Sequence, residues 1–247
     1  MKVSVISGVV IAIFSVSSAF AGNFGSPSPR YAATPYNWTG CYGGIGAGGG
    51  YHSSSLIDFD GLFAGSGGGG IGAVAGGQVG CNYQINQFVV GAEAEGYWSD
   101  LNTKLNASSA LTESYSLNSN NTYDASAALR VGYAFNRLLA YAKAGLAVGG
   151  FNWSVSETEL TAPGFTTHST ASQTLAGLLL GVGFEYALTD HVSTKVEYDY
   201  MNFGDPTIAF AGSCTGAGCG ASISANVSET SNEVLQMVKV GLNYKFY

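Results

Sequence analysis

Nine charged residues are set singly or at alternate positions in otherwise apolar or small-residue stretches: Glu93, Glu95, Arg130, Lys143, Glu185, Lys195, Glu197, Asp199 and Lys239. In extended chain such positions share one face, so the two signs would meet across an enclosed space. Groups of this kind can do two things: lock into ion pairs, or pass protons or ions along a file. On an outer face in lipid, each basic residue near the middle of the bilayer would cost about 2–4 kcal/mol, so they must point inward. An unpaired charge in a narrow interior is also expensive. A closed salt-bridge plug is therefore expected ahead of a conducting path.

The remaining chemistry is sparse. His52, His168 and His191 are scattered, without the spacing a metal site needs. There is no Gly-x-Ser-x-Gly elbow. The glycines of Gly43–Gly50 are followed by neither a helix nor Gly-Lys-Ser/Thr, so they do not form a phosphate loop. The expectation is no catalytic residue, no metal and no cofactor. An enzyme site at a barrel rim is an alternative that rests on fold analogy alone.

The elements that position the charges are strands. In Glu233–Tyr247, residues 234, 236, 238, 240, 242, 244 and 246 are mostly apolar, and Lys239, Asn243 and Lys245 fall between them. Tyr123, Ala125, Ala127, Leu129, Val131, Tyr133 and Phe135 oppose Asp124, Ser126 and Arg130 in the same way. Strands are expected over 37–52, 72–85, 88–101, 122–135, 138–155, 172–187, 192–204 and 233–246, long enough to cross a bilayer at a tilt. Tight turns at 84–87, 135–138 and 187–191 alternate with long Ser/Thr/Asn/Gly-rich connections at 53–71, 102–121, 156–171 and 205–232. That is the plan of an all-β, eight-stranded, antiparallel up-and-down transmembrane barrel, with short periplasmic turns and long extracellular loops. Eight strands leave an interior that side chains can fill. Phe88, Trp98, Tyr123, Phe135, Tyr141, Phe184, Tyr186, Tyr198, Tyr200, Tyr244 and Phe246 are expected to face lipid.

Strand pairing also bears on Cys41, Cys81, Cys214 and Cys219. An even number of cysteines in an exported chain points to disulfides. A hairpin centred near residue 62 puts Cys41 and Cys81 within a residue or two of facing one another, in reach of a bond. Cys214 and Cys219 would close a short glycine-rich loop. The expected pairs are Cys41–Cys81 and Cys214–Cys219.

The ends and the composition agree with this plan. Residues 1–21 read as a cleaved export signal, with one basic residue, an apolar run and Ala19-Phe20-Ala21. Residues 22–36 read as a flexible periplasmic lead-in and 37–247 as the barrel. The chain of 247 residues has 36 glycines, only 10% charged residues and a net charge of −7, which argues against nucleic acid as a partner.

Several segments resemble the small opacity-type porins and related outer-membrane β-barrel proteins of alphaproteobacteria. They include Asn37-Trp-Thr-Gly-Cys-Tyr42, Gly77-Gln-Val-Gly-Cys-Asn-Tyr83, Leu129-Arg-Val-Gly-Tyr-Ala-Phe135, Lys195-Val-Glu-Tyr-Asp-Tyr200 and Val240-Gly-Leu-Asn-Tyr-Lys-Phe246. The resemblance implies an eight-stranded barrel in the outer membrane of a Gram-negative cell, contributing to envelope integrity and surface exposure. Its partners would be outer-membrane lipid and the barrel-insertion machinery, with a monomer or weak oligomer as its state. A narrow porin, or an adhesin or ligand binder using 53–71 and 205–232, are the variants such a barrel allows. Tyr247 departs from the terminal Phe of such chains.

Overall fold

The computed structural model describes residues 36–57, 68–108, 113–159, 164–217, 219 and 227–246. The expected export signal lies outside the described residues, as does the lead-in apart from Tyr36. The strands are β1 (Gly40–Ile57), β2 (Gly68–Ile85), β3 (Phe88–Ser108), β4 (Glu113–Phe135), β5 (Leu138–Glu159), β6 (Phe165–Ala187), β7 (Val192–Asn202), β8 (Thr207–Gly216) and β9 (Val227–Lys245). Every pairing is antiparallel, and β9 returns to β1 to close the sheet.

Nine segments make an eight-strand ring because β7 and β8 share one strand position. β6 pairs with β7 from Leu178↔Asn202 to Ala187↔Ser193 and with β8 from Phe165↔Gly216 to Thr170↔Ala211. β9 likewise pairs first with β7 and then with β8. The interruption is Phe203–Pro206, where Gly204 has φ 71° and Pro206 has no N–H to give to a ladder. Phe203 N–H donates to Glu233 O at 3.0 Å, and Glu233 N–H returns a bond to Gly204 O at 3.3 Å.

The expected loop 205–232 is therefore corrected: most of its first half is strand, and β9 begins at Val227. The other three expected loops also shrink, because pairing runs up to Ser54↔Gly68, Ser108↔Ser114 and Glu159↔Phe165. Over 154–158 and 165–174 neither face of the ladder is buried. Ser, Thr and Asn then alternate with each other rather than with apolar residues, and the period-two signal disappears although the ladder continues.

The tight turns hold asparagine in the left-handed region, at Asn86 (φ 56°) and Asn136 (φ 59°), which its short polar side chain tolerates. Outward positions are large and bare, as in Trp98 at 81% exposure and Leu129 at 73%. In a barrel spanning a membrane that surface belongs to lipid. Nearly all of the aromatics expected to face lipid lie on this outer face. Tyr141 does not: it shares the parity of Lys143 on β5 and is buried inside.

The glycine-rich β1 is explained by what lies inside it. β2–β3 pairing ends at Val74↔Ser99, and after an irregularity between Trp98 and Leu101 β3 goes on in its pairing with β4. A Cβ at Gly50 would stand 3.0 Å from a Leu101 methyl, and one at Gly46 would stand 2.6 Å from the Tyr97 hydroxyl. Glycine leaves the room those side chains occupy.

Candidate functional site

All nine expected charges are buried in the lumen in one connected network. β3 supplies Glu93 and Glu95, and β7 supplies Lys195, Glu197 and Asp199, each at alternate positions. Glu95 is the hub: Lys239 Nζ lies 2.6 Å from Oε2, Lys143 Nζ 2.9 Å from Oε2, and Lys195 Nζ 2.9 Å from Oε1. Lys239 also reaches Asp199 Oδ2 at 2.6 Å and Glu197 Oε1 at 3.0 Å. Arg130 Nη2 reaches Glu185 Oε2 at 2.8 Å.

Neutral groups outside the nine expected charges add to the bonding. Tyr42 and Tyr141 hydroxyls donate to Glu93 at 2.6 Å and Glu197 at 2.7 Å. Ser193 and Asn243 donate to Glu185 Oε1 at 2.6 Å and 2.8 Å. The Arg130 guanidinium lies 4.1 Å from the centre of the Tyr141 ring, close enough for a cation–π contact.

Glu93, Glu95 and Glu197 each offer an oxygen within 4.8 Å of the others, a spacing that could hold a metal ion. Lys143 and Lys195 each lie within 3.5 Å of all three carboxylates. The ammonium groups thus already supply positive charge where a cation would sit.

Above this layer the lumen changes character. Phe151, Trp153, Phe203, Leu235 and Met237 form an apolar fill, with Phe151 stacked on Trp153 at 5.8 Å and edge-on to Phe203 at 5.1 Å. Within it, His52 Nε2 lies 2.5 Å from Glu233 Oε2, and Ser54 Oγ donates to Glu233 Oε1 at 2.9 Å. Trp153 Nε1–H, from β5 on the opposite wall, donates to the same oxygen at 3.1 Å. His52, Ser54 and Glu233 are all buried.

A third layer closes the periplasmic mouth. Trp38 N–H donates to Gln84 Oε1 at 2.7 Å, and its indole N–H to Asn136 O at 3.1 Å. Tyr36 N–H bonds Asn136 Oδ1 at 3.2 Å, and the Tyr36 ring stands edge-on to Trp38 at 4.7 Å. Burial, with the Glu185 and Asp190 charges adding to it and Arg137 opposing, pushes the Tyr36 phenol up to about 12. No periodicity marked this cap, because two aromatics before a strand carry no pattern.

Both disulfides are present: Cys41–Cys81 joins facing residues of β1 and β2, and Cys214–Cys219 closes the end of β8.

A closed ring with lipid-type residues outside and charges inside has a counterpart among known proteins. The outer membrane protein beta-barrel domain matches residues 12–246. The chain belongs to that family. As a member it is an outer-membrane protein. The 31 kDa outer-membrane immunogenic proteins of Brucella melitensis and Brucella suis are each 30% identical over 263 residues, covering 98% of this chain and 99% of theirs. Among solved structures, OprG from Pseudomonas aeruginosa is 18% identical with a TM-score of 0.46, covering 86% of this chain and 98% of that one. At that score the superposition has no weight of its own, and the barrel rests on the closed ring of strands and the family match.

Proposed function

We propose that this protein is a plugged envelope barrel of the opacity-type porin group, strengthening the outer membrane and presenting surface strands, and not a solute channel or an enzyme. One observation carries the reading: cap, ion network and apolar fill occupy the lumen in succession, the first two held by hydrogen bonds and ion pairs and the third by packing. The chain is exported by its N-terminal signal and handed to the barrel-insertion machinery, and its lasting partner is lipid. The expected outcome in planar bilayers is low conductance from the intact monomer. Large, stable, solute-permeable openings would overturn the plug.

A surface-binding role for the same barrel is favoured by strand length. β4, β5 and β6 run for 22–23 residues, about twice the 9–11 that cross a bilayer, so their upper halves stand in solvent. The Brucella relatives are named as immunogenic, which fits exposure of this kind.

A further inference from the structure

Along its paired length, the β1–β2 hairpin has few side chains to fix its register, and one covalent bond. Of its fifteen facing pairs, from Gly40↔Asn82 to Ser54↔Gly68, only Cys41↔Cys81, Ala47↔Ala75 and Tyr51↔Ile71 lack a glycine. Strands this poor in side chains specify register weakly, and a slip by two residues keeps every side chain on its own face. At the foot of the hairpin Trp38 N–H donates to Gln84 Oε1 at 2.7 Å and Gln84 N–H to Thr39 Oγ1 at 3.0 Å; along the strands themselves, the side chains that could oppose a slip act through other strands. Tyr42 reaches Glu93 on β3, and Gln78 Nε2 donates to Asn243 Oδ1 on β9 at 2.7 Å. Glu93 is in reach only once β3 has paired with β2, and Asn243 only once the ring has closed. Until then, the covalent link between Cys41 and Cys81 is the strongest hold on the register of the hairpin.

The location of that link sets when it can form. Cys41 and Cys81 face outward, and Cys81 lies between outward Val79 and Tyr83, both more than 60% exposed to the lipid side. Tyr83, Ile85 and Phe88 lie between it and the periplasmic edge. Disulfide exchange proceeds through a thiolate, and a thiolate is strongly disfavoured in hydrocarbon. Once the barrel is inserted, the bond can neither form nor be exchanged at an ordinary rate.

We infer that Cys41–Cys81 is closed in the aqueous periplasm before insertion and serves as the register pin of the glycine-rich hairpin. The reaction is oxidation by a disulfide-bearing periplasmic oxidant. One cysteine thiolate attacks the oxidant's disulfide, forming a mixed disulfide and expelling a thiolate. The second cysteine thiolate then displaces the other oxidant sulfur. The oxidant leaves as a dithiol carrying two electrons, and the two cysteine protons end on water or on that dithiol.

The test uses the full chain in phosphatidylcholine vesicles with a water-soluble reductant and a maleimide. Labelling at Cys214 and Cys219 at least about tenfold faster than at Cys41 and Cys81 is expected; equal rates would overturn the timing. For register, Cys41→Ser/Cys81→Ser chains carry either Ala47→Cys with Ala75→Cys, which face each other, or Ala47→Cys with Ala73→Cys, which meet only after a two-residue slip. With each chain oxidised in buffer before it meets vesicles, folded protein carrying either cross-link is expected, and folded protein carrying the facing pair alone would sink the pin. If these variants do not fold, the wild-type chain decides: folded yield should fall when it meets vesicles reduced and is oxidised only afterwards. An unchanged yield counts against the inference.

Discussion

The two halves of the lumen are filled by opposite means on the same alternating backbone. Near the periplasm the inward residues are Glu93, Glu95, Arg130, Lys143, Glu185, Lys195, Glu197, Asp199 and Lys239, and cohesion comes from charge pairs bridging six strands. Toward the cell exterior the same inward parity carries Leu101, Phe151, Trp153, Leu235 and Met237, and cohesion comes from contact. On β9 the change takes one step, from Met237 to Lys239. Alternation determines which residues face inward but does not determine the chemistry of the interior. The two halves should fail differently: loss of one ionic partner strands several buried charges, whereas loss of one apolar side chain leaves a hole whose cost depends on how far neighbours relax.

The largest effect is expected at Glu95, which three ammonium groups share. Glu95→Ala should cost about 3–5 kcal/mol in urea unfolding from lipid, as expected for breaking a buried pair from one side. A loss under about 1 kcal/mol would mean that water already screens this layer. Next comes Leu235→Ala in the apolar half, at about 2–4 kcal/mol by the same assay. The double variant sharpens the contrast, since independent layers should add to within about 0.5 kcal/mol. A large coupling would show that the lumen behaves as one unit.

Trp153→Phe keeps a ring but removes the N–H given to Glu233 across the barrel, and about 1–2 kcal/mol is expected. The smallest effect concerns the cap. Its phenol is neutral when folded and ionises near 12 instead of the ordinary 10, so its contribution is complete below pH 10 and is lost as pH rises through 12. Comparing Tyr36→Phe with the parent between those values should show the parent destabilised more by alkali; parallel curves would place Tyr36 in water.

The ring and its contents were legible to different degrees. Parity alone brought the nine charges onto one face, because a strand's period of two needs no knowledge of partners. The same rule assigns Tyr141 to the interior with Lys143, and the aromatic type misled where the spacing did not. Strand length was not legible above the membrane, where Thr166, Thr167, Ser169 and Thr170 alternate without hydrophobic contrast. The divided strand position was hidden for a related reason. Gly204 and Pro206 announce a stop, and among the described side chains of 207–212 only Ile208 is apolar and buried. The junction of His52, Ser54, Trp153 and Glu233 joins residues up to 181 apart in the chain, a distance over which local pattern carries no information.

The interruption at Phe203–Pro206 has a practical consequence. There the wall gives up its ladder, Gly204 and Asp205 are exposed, and a Cβ at Gly204 would meet no heavy atom within 4 Å. Foreign sequence spliced between those two residues would leave from the side of the cylinder with hydrogen-bonded wall both above and below the splice. A reporter epitope grafted at that point would be held at a fixed height over the bilayer, as rim grafts on these long strands are not, making the barrel a display scaffold with a lateral port.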